Sequence, residues 1–225
     1  MDDKELEGSF WEQFDKARDL TKWVHGLLGR GLRIAPDPIS CTAAALYGLG
    51  HRHFDSMLTI LSTDLNLAGS AFALARPQLD AYVRAEWLMT ADDPEAALKE
   101  FRSGDRLFTR PLANLAMAKR GAEYTKDLTQ MLDTNLNLLH GLTHGGKEQI
   151  DSWYDGERLG PAYRFRDMMA MVDIGWRFAL KCGMGVASCS TTPSWAQSLY
   201  EDATGRMPRL FNDVLAELGA KEPAK

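Results

Sequence analysis

One segment constrains the fold more than any other. Residues 66–90 read NLAGSAFALARPQLDAYVRAEWLMT, the most apolar stretch of the chain. Its apolar residues lie on nearly every side of a helix, and a helix of that kind must be buried against other elements. Pro77 lies inside the segment, where a proline removes a backbone donor and clashes with the preceding turn. We therefore predict a buried central helix with a kink near Arg76.

The N-terminal segment shows the same helical spacing with only one apolar face. Its apolar residues recur at intervals of three or four: Phe10, Phe14, Ala17, Thr21, Val24 and Leu28. This spacing is typical of an amphipathic helix. Ser9 and Glu12 fit a capping box that would begin the helix.

Two further helix starts can be read from cap residues. Asp37 precedes Pro38, and Asp93 precedes Pro94, so each pair fits an N-cap followed by a proline in the first turn. The helix after Asp37 contains glycines at positions 48 and 50, which we expect to bend or split it.

The complete pattern predicts an all-α protein, a single-domain bundle of about six to eight helices. The composition, 45% hydrophobic and 25% charged, is normal for a folded domain. We expect one domain over residues 1–219 and a disordered tail over residues 220–225. The stretch 145–161 is the one irregular segment of the pattern.

Charge and cysteine content exclude several classes of protein. The net charge of −5 gives no general basic field for nucleic acid, although a local basic groove remains open. No apolar run approaches the roughly 20 residues that span a bilayer, and the acidic N-terminus is no signal peptide. We expect a cytoplasmic protein without membrane contact or cofactor.

Cys41, Cys182 and Cys189 have no metal-type spacing and are predicted to be free buried thiols.

Three charged residues follow one face of the predicted central helix. Arg76, Asp80 and Arg84 are spaced i, i+4 and i+8. Charged side chains are seldom buried unless they are paired, so a buried row would form a ladder of ion pairs. The alternative is that the row lies on a solvated side of the helix.

The histidines form two close pairs in sequence. His140 and His144 are four residues apart, which is metal-ligand geometry on a helix. The alternative is that they finish a helix C-terminus, where cations are favourable. His51 and His53 flank an arginine, and neither pair belongs to a HExxH or ExxH pattern, so we predict no metal site. His25 is expected to be structural.

Two segments together resemble a group of bacterial helical families of unknown function. SAFALARPQLDAYVRAEWL is followed about fifty residues later by LNLLHGLTHGG. The pattern of these families begins with a helix that contains Arg-Pro, an acidic residue three positions after the proline, and then an arginine and an aromatic residue. A downstream segment carries an asparagine followed by His-Gly-Gly. The matching positions are Arg76, Pro77, Asp80, Arg84, Trp87, Asn137, His144, Gly145 and Gly146, with His53 at a polar position of the preceding helix. The resemblance covers roughly residues 38 to 185 and implies a helical fold without an established activity.

The size and helix content also resemble, more distantly, the HEPN group of helical ribonucleases and toxins. Members of that group carry an arginine, then four to six variable residues, then a histidine near the end of one helix. No arginine stands there before His140 or His144. An arginine would have to come from another helix, such as Arg84 or Arg76.

These residues predict a shared site if the central helix packs against the helix that ends at His144. Arg76 and Arg84 would clamp a phosphate or carboxylate beside Asp80, and His144 would act as general acid or base. The further ligand-binding candidates are Asn137, His140, His53 and Gly145. The alternative is a structural network that fixes the helix register.

Three functions from different classes remain open on the sequence. The first is a partner-binding or regulatory module, with stress response or phage defence as its context. The second is a HEPN-like ribonuclease or toxin that acts on RNA or other phosphodiesters. The third is a metal-dependent enzyme that uses the histidine pairs. The expected partners are a second copy in a homodimer, because two-fold dimers are the commonest oligomers, and a protein or RNA.

Overall fold

The structure, a computed structural model, describes residues 3–29, 32–104, 109–121, 126, 128, 129, 132, 133, 150, 151, 153, 160, 161, 163–192, 194, 198, 199, 201 and 202. This part of the chain is all-α, as predicted. Its helices are α1 (Asp3–Leu28), α2 (Pro38–Thr63), α3 (Ala68–Phe72), α4 (Ala75–Thr90), α5 (Pro94–Ser103), α6 (Thr109–Lys119) and α7 (Phe165–Ser188). One turn of 3-10 helix, Leu65–Leu67, joins α2 to α3.

The two predicted aspartate caps are confirmed. The Asp37 carboxylate accepts hydrogen bonds from the backbone N–H groups of Ile39 and Ser40, at 3.1 and 2.8 Å. The Asp93 carboxylate accepts one from Ala96 at 3.0 Å. Each cap satisfies donors that the first turn of a helix leaves without a partner.

Two expectations about helix ends and bends are wrong. Helix α1 begins at Asp3 rather than at Ser9. The Glu12 side chain contacts Lys16 one turn ahead at 2.5 Å, so it does not close a capping box. Helix α2 is not split at either of its glycines: Gly50 packs against Cys182 and Gln78, whereas Gly48 faces open space and the helix continues through it.

The interruption predicted from Pro77 is present and lies slightly before the proline. Helix α3 ends at Phe72 and α4 begins at Ala75, so Ala73 and Leu74 form the break. In a continuous helix, the backbone N–H of residue 77 would donate a hydrogen bond to the carbonyl of Ala73. Since proline has no N–H and its ring crowds that carbonyl, the helix breaks at this point.

Helices α2 and α4 form the centre of the bundle. Helix α2 contacts α1, α3, α4, α5 and α7, and α4 also contacts α6 and α7. Most of α4 is buried, as predicted for the central helix. The connection between α1 and α2 is fixed to the end of α7 by an antiparallel bridge between Ile34 and Ser190 and by two backbone hydrogen bonds.

A further helical segment lies against α6. Residues 126, 128, 129, 132 and 133 are helical. Asp133 pairs with Arg110 at 2.6 Å, and the Thr129 hydroxyl contacts the Met117 sulfur at 3.2 Å. These contacts show that the segment runs antiparallel to α6, toward the end that carries Thr109.

Glycines allow α2 and α7 to approach each other closely. A Cβ at Gly185 would lie 2.5 Å from the Tyr47 ring, and one at Gly175 would lie 2.6 Å from the Phe54 ring. A Cβ at Gly50 would lie 2.7 Å from the Cys182 sulfur. Side chains at these positions would force the helices apart.

We predict that Gly185→Ala destabilises the protein by about 1–3 kcal/mol, the usual cost of overpacking a core. Gly8→Ala is the matched control, because Gly8 is an exposed glycine of α1 with open space where its Cβ would stand. The control should stabilise the helix by up to about 1 kcal/mol. Denaturant unfolding of both variants checks this, and equal stability of the two would contradict the close approach.

Candidate functional site

The predicted charged row of α4 forms a cluster with α6, but only two of its three members pair. Arg76 Nε lies 3.1 Å from Asp80 Oδ1, with side chains 19% and 27% exposed. Arg76 also donates to the Thr109 hydroxyl at 2.9 Å. That hydroxyl in turn donates to Asp80. The cluster is therefore half-buried and its charges are satisfied internally.

Arg84 does not extend this cluster into the predicted ladder. It lies half-buried one turn beyond Asp80, and no described carboxylate lies within ion-pair distance of it. The Asp80 carboxylate is instead engaged by Arg76 and by the Thr109 hydroxyl of α6.

The other residues predicted for this site are not brought together with it in the described structure. Asn137, His140, His144 and Gly145 lie outside the described residues, so their proximity to Arg76 and Arg84 stays a prediction. His53 lies half-buried on α2, where burial lowers its pKa.

A buried carboxylate that the sequence analysis did not single out ties three elements together. Glu86 of α4 is 6% exposed. Its Oε1 accepts a hydrogen bond from the Tyr47 hydroxyl of α2 at 2.6 Å. Its Oε2 faces the Arg120 guanidinium, just after α6, at 3.0 and 3.2 Å. A buried carboxylate with a cation and a hydroxyl is satisfied, so we assign it to the scaffold.

A pocket of about 500 Å³ opens between α1, α2 and the end of α7. Small-molecule sites usually enclose about 300–1,000 Å³. Leu28, Ile34 and Val186 supply apolar walls from three different elements. On α2 the pocket is floored by a stripe of small residues, Ala44, Ala45 and Gly48, which leave the space unfilled.

His51 is the polar group that this pocket leaves unsatisfied. The side chain is 2% exposed, and neither ring nitrogen has a hydrogen-bond partner among the described residues. The His25 ring lies beside it, with 4.5 Å between ring centroids. A buried polar group without a partner costs about 1–3 kcal/mol, so this arrangement requires an explanation.

The surroundings of His51 keep it uncharged. Burial lowers its pKa to about 4, with smaller contributions in the same direction from His25 and Arg52, while Asp55 opposes them. A neutral imidazole offers one donor and one acceptor. The lining of the pocket therefore includes a neutral imidazole, whose two nitrogens are themselves closed to solvent.

The described residues contain no group of three or more His, Cys, Asp or Glu side chains placed to hold a metal ion. His51 and His53, about 200° apart around α2, do not share a face. Cys41 lines the pocket and is exposed, contrary to the expectation of buried thiols, because it lies on the open side of α2. Cys182 and Cys189 are buried, and burial raises both thiol pKa values.

The sequence analysis missed the pairing of His25 with His51. The two residues belong to different helices, and only the fold brings them together. A weaker signal was present in α2. Cys41, Ala44, Gly48 and His51 recur every three or four residues, so a histidine ends a stripe of small residues on one helix face.

Fold and site together define an all-helical protein with a histidine-containing apolar pocket. The chain belongs to DUF6988, a family of unknown function whose sequence model matches residues 48–208. This confirms the resemblance to a helical family of unknown function. The match includes Gly48, His51 and Val186 of the pocket, whereas His25 and Ile34 lie outside it.

No curated protein and no solved structure matches the chain. In the part of the chain that the structure describes, none of the helices combines the length and apolarity that crossing a membrane requires.

The pH dependence of stability should report on His51. Its pKa is about 4 in the folded state and 6.5 ordinarily, so between these values the unfolded chain binds a proton that the folded chain does not. The contribution of a neutral His51 is complete above pH 6.5 and is lost as pH falls toward 4, by up to about 3 kcal/mol.

We predict that His51→Leu removes this component, so the free energy of unfolding of the variant falls less steeply between about pH 7 and pH 4. Denaturant unfolding at a series of pH values measures it. All other residues are common to both proteins, so the difference between the two profiles reports on position 51. Parallel pH profiles would show that its imidazole is not held neutral.

Proposed function

We propose that this protein is a binding module that takes a small, largely apolar molecule into the pocket between α1, α2 and α7. The observation that carries the proposal is the buried His51 ring, which lines the pocket with both nitrogens unpartnered among the described residues. A ligand that hydrogen-bonds to the ring would remove the cost of that desolvation.

The chemistry of the pocket supports binding over acid–base catalysis. A catalytic histidine works best with a pKa near the working pH, whereas burial holds the pKa of His51 at about 4. None of the described wall residues is an Asp or Glu that would orient or activate the imidazole. An apolar cavity with one recessed polar group is the usual form of a small-molecule site.

The position of the pocket supports a regulatory use of the ligand. Its walls come from α1, the connection before α2, α2 itself and α7, so a bound molecule would contact all of them. Binding to the folded chain alone stabilises it by mass action. The stress or phage-defence context, the homodimer and the cytoplasmic location stay predictions.

A neutral fluorescent probe, N-phenyl-1-naphthylamine, tests the proposal. We expect saturable binding to the wild-type protein. Gly48→Leu should abolish it by filling the pocket, and the fold should tolerate this change because a Cβ at Gly48 meets no atom within 4 Å. Replacing a helical glycine also favours the helix, so the melting temperature should not fall.

Gly8→Leu is the control for this experiment. Gly8 is likewise a helical glycine with open space around its Cβ, and it lies some seventeen residues, roughly 25 Å, from His25 along α1. It should bind the probe as wild type does. If Gly48→Leu binds the probe with unchanged affinity, the pocket is not the binding site and the proposal fails.

A second candidate function is the HEPN-like handling of RNA or another phosphodiester at Arg84, Arg76, Asp80 and His144. Two observations support it. Arg84 has no described carboxylate partner, so its charge is available for a phosphate. The segment 126–133 runs antiparallel to α6 toward Thr109, which contacts Arg76, and we propose that the following residues, Asn137 to Gly145, approach this cluster.

This candidate predicts that the purified protein cleaves total RNA and that Arg84→Ala reduces the rate by at least about ten-fold, since one charged contact is worth about 1.5–3 kcal/mol. Arg166→Ala is the matched control, because Arg166 is an exposed arginine on α7. Wild-type protein that leaves RNA intact, or equal rates for the two variants, would exclude it.

A further inference from the structure

We infer that the ligand of the pocket places an uncharged hydrogen-bonding group, such as an alcohol, amide or ketone, against His51 and carries it on a short aliphatic chain. This inference rests on the proposed function and specifies the chemical class of its ligand. It follows from the depth, charge and shape of the pocket.

Depth determines which end of the ligand enters first. His51 is almost completely buried, whereas the side chain of its neighbour Arg52 is 67% exposed and pairs with Asp55 at 3.1 Å. The recessed end of the pocket is thus an imidazole and the rim is a guanidinium. A molecule that entered with its apolar end first would bury hydrocarbon against two unpartnered nitrogens, so the polar end must lie inside.

Charge limits that polar end to neutral groups. A buried cation would find no Asp or Glu among the described lining residues, and it would lie close to His25 and Arg52. A buried anion would be desolvated among apolar walls, because the Arg52 guanidinium lies at the rim and already pairs with Asp55. A hydroxyl or amide instead matches the donor and acceptor of a neutral imidazole.

Shape indicates the rest of the molecule. The stripe that begins at Cys41 and ends at His51 spans eleven residues of α2, a rise of roughly 15 Å along the helix. Its small side chains Ala44, Ala45 and Gly48 leave a shallow channel along the helix, and Val186 faces it from α7. A flexible chain of several carbons fits this channel better than a broad polar ring system.

Displacement of N-phenyl-1-naphthylamine by four probes of equal chain length tests the inference. The probes are octan-1-ol, octanamide, octanoate and octylamine, at about pH 7.5, where the last two are charged. We expect the alcohol and the amide to displace the dye at concentrations at least about ten-fold lower than the two ions, because an ion buried without a partner costs more than one hydrogen bond returns.

Two His51 variants test whether the alcohol and the amide bind at its imidazole. His51→Leu should weaken displacement by octan-1-ol and octanamide at least about three-fold, since it removes donor and acceptor together, while the two ions stay weak because the walls remain apolar. His51→Gln should retain displacement by the alcohol and the amide, because its amide supplies both a donor and an acceptor. An alcohol and an amide that displace the dye from His51→Leu as well as they do from the wild-type protein would overturn the inference.

The outcomes separate this inference from the proposed function. If octanoate or octylamine displaces the dye as well as octanol does, the ligand class is wrong. If none of the four displaces a dye whose binding depends on Gly48, the ligand class is also wrong while the proposed function stands. If Gly48→Leu leaves dye binding unchanged, the proposed function itself fails.

Discussion

At Gly185 of α7, the Tyr47 ring of α2 occupies the volume that a Cβ would take. This contact fixes the position of the Tyr47 ring between the two helices. From that position its hydroxyl donates a hydrogen bond to Glu86 of α4. Glu86 in turn holds the Arg120 guanidinium at the end of α6. A buried carboxylate that lost its partners would be strongly destabilising, so the polar centre of the bundle depends on one close helix contact.

The same close packing explains why His51 stays buried. Its neighbour Gly50 lies against the Cys182 sulfur and the Gln78 carbonyl, so the rotation of α2 about its own axis is fixed at this point. With that rotation fixed, the side chain at position 51 faces α1 and its His25 ring.

Local sequence signals predicted the parts of the fold that local chemistry determines. The aspartate caps at Asp37 and Asp93 and the break before Pro77 depend on a few adjacent residues, and all are present. The apolar character of residues 66–90 correctly indicated the buried central helix. The start of α1 was missed because Glu12 has a competing partner, Lys16, one turn ahead.

The candidate site was less predictable, because it depends on contacts between residues distant in sequence. The row of Arg76, Asp80 and Arg84 has the periodicity of a ladder, but only the first two pair, and Thr109 of another helix joins them. Periodicity specifies which residues share a helix face, but it does not specify which residues of other helices pack against that face. His51 was grouped with its neighbour His53 for the same reason, whereas the fold pairs it with His25.

The difference between the two polar clusters lies in whether their hydrogen bonds are complete. Arg76 and Asp80 satisfy each other and share Thr109, so the fold alone is a sufficient reason for them. His51 gains nothing from the fold, since a leucine of similar size would fill the same space without desolvating two ring nitrogens. A buried group that costs stability and makes no hydrogen bond in return calls for a partner, and a molecule bound in the pocket is the partner that we propose. Arg76 and Asp80 need no such partner, because Thr109 completes their hydrogen bonds.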